Sequence, residues 1–158
     1  MSLKEYQEKI IRQLITQEKL LARLYEVFSK QFTQSQKFWM KLSKEEQKHA
    51  KLIEKLLEAV KKKTVIYDEK KLKTYTLNTF ITRLKNILQK AEAGEYTLFS
   101  ALRVADDYES SLIEKNVFLH FDSFDYKIKN TLTMLHSETQ KHAEMIKAAH
   151  NKFKKDSK

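Results

Sequence analysis

The string QKHA occurs twice, at residues 47–50 and 140–143, and in both copies the histidine, His49 or His142, falls on the apolar seam of a helical pattern. Three residues before each histidine, the seam carries Glu46 in the first copy and Thr139 in the second. A further seam glutamate, Glu18 or Glu109, lies about 30 residues upstream of each copy. Glutamate and histidine three residues apart share one helical face on adjacent turns, so the pair can offer an oxygen and an imidazole nitrogen to one ion. Carboxylates left unpaired in an apolar interior are costly or must take up a proton. A cation explains their common placement most simply, and iron or manganese suits these nitrogen and oxygen donors, as does zinc.

The elements that must position these groups are helices. Ile11, Leu14, Ile15, Leu21, Tyr25, Phe28 and Phe32 recur at three- and four-residue steps and predict a first helix over about 3–31, with Ser2 as N-cap and Glu18 inside the stripe. A second helix is expected over about 34–62 behind the cap Thr33, with Trp39, Leu42, Ile53, Leu56 and Val60 on the face that carries Glu46 and His49. The stretch 64–94 breaks the pattern and reads as a long crossover, whose part NTFITRLKNILQKAEA resembles a short amphipathic helix ending at Gly94. Thr97 should cap a third helix over about 98–121, with Glu109 and Asn116 interrupting its seam. After the turn DSFD at 122–125, a fourth helix over about 124–154 places Thr139 and His142 among Ile128, Leu135 and Ile146. The seam-breaking residues lie near the middles of these four spans, so antiparallel packing should bring them to one height.

Composition narrows the chemistry. The 158 residues fit one domain, 1–158, able to bury a core without staples, and a single glycine with no proline favours long helices over sheet corners, hence an all-α fold. With no cysteine, no thiolate-held centre can form, and electrons for any redox reaction must come from outside the chain. Neither a membrane span nor a secretory leader is expected, and a cytoplasmic location fits. A net charge of +10 attracts polyanions, yet the lysines are interspersed with glutamates, so nucleic acid is not an expected partner. No phosphate loop or nucleophile motif supports a kinase or hydrolase.

Glu18, Glu46 with His49, Glu109, and Thr139 with His142, within FWMKLSKEEQKHAKLIEKLL, TMLHSETQKHAEMI, EKLLARLY and ALRVADDYESSLIEKN, resemble the ligand plan of the ferritin-like superfamily, and in particular the rubrerythrin diiron domain. The resemblance runs over nearly the whole chain and implies a four-helix bundle with a long crossover between its second and third helices. It also implies Glu18 and Glu109 as terminal ligands, Glu46 as a bridge, and His49 and His142 as one ligand for each of two metals.

A non-haem diiron or dimanganese centre of this kind would reduce peroxide or oxidise ferrous iron with oxygen, fed by a separate electron donor, in a protein expected to form a homodimer. Thr139 departs from the plan, because its hydroxyl is a weak neutral ligand. Glu138 does not obviously replace the lost carboxylate, since one residue turns a helical side chain by about 100°. One ion, an asymmetric pair, or a decayed site in a bundle kept as an interaction or scaffolding protein all fit this departure. Tyr25 is read mainly as packing and Asp106 as a less favoured substitute carboxylate. His120, His136 and His150 are read as surface or boundary residues.

Overall fold

The computed structural model describes residues 3–62, 65–67, 74–115, 118 and 121–156. Among the described residues, five helices carry the fold: α1 (Leu3–Gln31), α2 (Gln36–Lys61), α3 (Thr74–Glu92), α4 (Leu98–Lys115) and α5 (Tyr126–Asp156). They form an all-α, ferritin-like bundle. No helix among the described residues is long and apolar enough to cross a membrane.

Local chemistry sets the helix ends. Gly94, at φ 73°, closes α3 as the sequence suggests: its amide donates to Ala91 O at 2.9 Å and the Glu95 amide to Lys90 O at 3.0 Å, the paired bonds of a left-handed helix stop. Thr97 caps α4 reciprocally with Ser100, the Ser100 amide donating to Thr97 Oγ1 at 3.1 Å and the Thr97 amide to Ser100 Oγ at 2.8 Å. At the start of α5, Asp125 accepts the Lys127 amide on its side chain at 2.9 Å.

Three boundaries differ from expectation. A 3₁₀ turn over Thr33–Ser35 delays α2 to Gln36. The crossover helix α3 is 19 residues long rather than short, and it buries Leu84, Ile87 and Ala91 in a core cluster shared with Leu21, Leu24 and Phe28 of α1. The third bundle helix does not reach Phe121. That residue begins a three-residue strand, β2 (Phe121–Ser123), which pairs antiparallel with β1 (Val65–Tyr67) in the register Val65 to Ser123, Ile66 to Asp122 and Tyr67 to Phe121. The β-branched pair Val65 and Ile66 favours extended backbone, and the ribbon ties the start of the crossover to the α4–α5 connection. The proposed cap Ser2, and also Asn116 and His120, lie outside the described residues.

Among the described residues, the apolar core falls into two clusters. One gathers Ile11, Leu14 and Ile15 of α1, Ile53, Leu56 and Val60 of α2, and Leu132 and Leu135 of α5. The other gathers Leu21 and Tyr25 of α1, Trp39 and Leu42 of α2, Ala101, Leu102 and Ala105 of α4, and Ile146 of α5. Glu18 lies in sequence between the α1 members of the two clusters, Glu46 and His49 between those of α2, and His142 between those of α5. The break in the apolar core is therefore a polar layer across the bundle.

Candidate metal centre

Each polar group in this layer is carried by regular helix, which fixes its height and direction. Glu18 comes from α1, Glu46 and His49 from α2, Glu109 from α4 and His142 from α5. All five are buried, none more than 5% exposed.

Glu46 is the hub. Its Oε1 lies 2.7 Å from His142 Nδ1, and its Oε2 lies 3.7 Å from His49 Nδ1 in the same helix. One donor atom from each of Glu46, His49 and His142 falls within 4.8 Å of the others, and the two imidazole rings are 4.9 Å apart at an interplanar angle of 41°. Glu18 and Glu109 meet the Glu46 carboxylate from the neighbouring helices.

Five sequence-singled residues thus converge on one layer, with three of them forming the tight donor group and two carboxylates bordering it.

Electrostatics show how costly this arrangement is without a counter-charge. Burial pushes the Glu18 carboxyl well above its ordinary range, and the nearby Glu46 adds to the effect. Burial, then the charge of Glu46, raises Glu109 to about 8. Burial also raises Glu46 to about 7. Glu18 Oε2 is buried and has no hydrogen-bond partner among the described residues. The Tyr25 hydroxyl donates to Glu109 Oε1 at 2.7 Å while its ring packs 5.8 Å from that of Trp39, so Tyr25 is both core packing and a direct partner of the layer. A divalent cation would relieve the carboxylate repulsion, occupy the unpartnered oxygen and use the imidazole nitrogens, so the residues present fit such an ion.

Thr139 plays no part in this donor group. Its Oγ1 donates to Leu135 O at 2.7 Å, satisfied by its own helix.

Two further carboxylates, which sequence reasoning missed or set aside, do contact the layer. Glu138 Oε2 lies 2.6 Å from His49 Nε2, and Glu45 hydrogen-bonds His142 Nε2. A signal for them was present: the repeat extends two residues before QKHA, reading Glu45–Glu46 in one copy and Glu138–Thr139 in the other. Glu138 does not stand in for the missing seam glutamate; it approaches the far nitrogen of the opposite histidine.

His150 also departs from expectation. His150 is 4% exposed rather than at the surface, and its Nδ1 lies 2.9 Å from Asp106 Oδ2. Asp106 also accepts from Ser110 Oγ at 3.2 Å, so this carboxylate is engaged away from the donor group.

Among known proteins, the family model described as Rubrerythrin matches residues 9–149. No curated protein and no solved structure matches the chain significantly. The match reaches into all five helices and contains every residue of the buried glutamate and histidine layer; the chain belongs to the rubrerythrin family.

Proposed function

We propose that this protein is an iron-binding oxidoreductase of the non-haem type, with manganese as the alternative metal, acting on peroxide or oxidising ferrous iron. The observation that carries this reading is the convergence of Glu46, His49 and His142 donor atoms within 4.8 Å, bordered by the carboxylates of Glu18 and Glu109. Glu46, His49 and His142 would hold the first ion, while Glu18 and Glu109 would balance its charge and bound a weaker second position. Iron or manganese held there supplies the electron exchange with peroxide or oxygen that no side chain of the layer provides.

The chain's own groups do the rest. Glu46 lies between two imidazoles, Tyr25 steadies Glu109 through its hydroxyl, and apolar clusters flank the layer on either side. Because the sequence has no cysteine, its reducing equivalents come from a separate donor or from ferrous iron itself.

A second reading, a decayed centre retained for interaction or scaffolding, is favoured by one observation: the Thr139 hydroxyl is turned onto Leu135 O, leaving the second copy of the motif without a carboxylate at the seam. Rapid mixing of anaerobic ferrous-loaded protein with peroxide separates the two. Iron oxidation faster than in buffer, and lost in Glu46→Ala, is expected. Protein that retains no iron, or iron oxidised at the buffer rate, would favour the scaffold.

A further inference from the structure

The lysines of α2 are interspersed with glutamates along the sequence but gathered on the helix. At about 100° per residue, Lys37, Lys41, Lys44, Lys48, Lys51 and Lys55 fall within an arc of about 80°, and from 37 to 55 no other residue type lies in that arc. All six are exposed. Among the described residues, Lys48 alone of the six is held by a carboxylate, Glu138 at 3.8 Å. Exposed cations of α1 are matched instead, Lys19 by Glu54 at 3.5 Å and Lys30 by Glu26 at 3.1 Å.

The ridge borders the buried layer. Its first part lines an open groove of about 580 Å³ together with Met40 and Glu45. Lys41, Glu45 and Lys48 are shared with a second cleft of about 230 Å³, which continues to Lys141, Met145 and His142. A molecule seated on the ridge therefore stands over a cleft that ends at a member of the donor group.

We propose that the lysine ridge of α2 docks an acidic electron-carrier protein that reduces the centre, with the carrier's reducing group seated over the cleft to His142. The assignment rests on the metal-binding reading above. Each encounter would move one electron, oxidising the carrier and reducing one ferric ion to ferrous, with no bond made or broken.

Charge and composition select this occupant. A second copy would bring another chain of net charge +10 against the ridge. Nucleic acid is the less suited polyanion, because neither groove holds an arginine to fork onto phosphate, or a phenylalanine, tyrosine or tryptophan on which a base stacks. Flexible lysines around two methionines give long-range attraction with adaptable contacts, which suits a carrier that must leave after each electron. From Lys37 to Lys55 the ridge runs about 27 Å, enough for the small interfaces of electron-transfer pairs.

Titration of the full chain with an acidic plant-type two-iron, two-sulfur ferredoxin, and separately with duplex DNA, tests the ridge. Ferredoxin should bind, and its affinity should fall at least about tenfold between about 20 and 200 mM salt. Lys37→Glu, Lys41→Glu and Lys44→Glu together should weaken binding by about 10- to 100-fold at the lower salt. The same charge change at exposed positions of α1 and α3, Lys9→Glu, Lys85→Glu and Lys90→Glu, should weaken it by less than about threefold. In the wild type, amide NMR shifts on binding should cluster on 37–55 and 141–145, which keeps the test decisive even where a variant fails to fold. Under anaerobic conditions, ferric-loaded protein should oxidise reduced ferredoxin with one electron per iron, and more slowly in the α2 variant than in the α1 and α3 control.

No binding of ferredoxin, equal losses in the two triple variants, amide shifts away from α2, or duplex DNA bound more tightly than ferredoxin at the ridge would overturn the assignment. Binding without electron transfer to ferric-loaded protein would overturn it as well. Protein that retains no iron would instead overturn the metal-binding reading on which it rests.

Discussion

The hairpin α1–α2 and the hairpin α4–α5 carry the same motif, yet only the first places a carboxylate from it in the centre of the bundle. Glu46 sits between two imidazoles, while its counterpart Thr139 bonds back to its own helix. The second hairpin therefore contributes His142 from its motif and draws on the glutamate of the first. Outer contacts remain in both copies, through Glu45 and Glu138. The difference teaches that a pseudo-symmetric scaffold can lose one anionic donor without losing the layer, because the remaining glutamate is shared across the two-hairpin interface. It also makes the two halves unequal in charge, so one ion should be held more tightly than a second.

Substitutions at the two equivalent seam positions should break the comparison most sharply. Glu46→Ala is expected to weaken iron or manganese binding by more than about 100-fold, beyond the effect of losing a group outside the ligand set, whereas Thr139→Ala should change it by less than about threefold. Calorimetric titration under anaerobic conditions measures both. Equal losses would mean that the threonine side contributes as much as the glutamate side.

Thr139→Glu restores the matching carboxylate and should strengthen binding by roughly tenfold, with a second equivalent taken up, because ligand charge governs affinity at such sites. In metal-free protein the same change should lower stability, since it adds another buried carboxylate to a layer that already holds three. Unchanged affinity with unchanged stability would place residue 139 outside the layer.

A smaller effect sharpens the charge side of the comparison. The carboxyls of Glu46 and Glu109 sit near 7 and 8 in the folded chain against an ordinary value of 4.5, and Glu18 is raised as well. Between those limits the folded state holds more protons than the unfolded one, so stability falls as pH rises. Metal-free protein should therefore be most stable below about pH 4.5 with respect to these groups, losing stability progressively up to about pH 8. Denaturant midpoints across this range measure the trend, and Glu18→Gln should flatten it. Metal affinity should run the opposite way, rising with pH because binding displaces those protons. A flat profile in metal-free protein would show that the carboxylates are already compensated by other groups.

Much of the fold was legible because seam periodicity and caps are local. Gly94 and Thr97 end and begin helices where their chemistry requires. Phe121 falls outside the helical reading because its strand is set by pairing with a segment far away in sequence, the ribbon with Val65–Tyr67, which no helical period reveals. The full length of α3 is hidden in the sequence because its early residues are polar and β-branched, and burial of its later face against α1 overrides their weak helix propensity.

In the site, Glu18, Glu46, His49, Glu109 and His142 were visible as polar breaks in apolar stripes. Glu45 and Glu138 were not, because they stand beside the seam and reach a neighbouring helix whose orientation the sequence does not supply. His150 escaped for a similar reason: its partner Asp106 lies on a different helix.

Anomalous diffraction from crystals of the manganese-loaded protein tests the shared-glutamate arrangement most directly. The strongest peak should lie among Glu46, His49 and His142, with any second peak weaker and toward Glu18 and Glu109. Two peaks of equal strength, a peak away from Glu46, or no peak in this layer would contradict it.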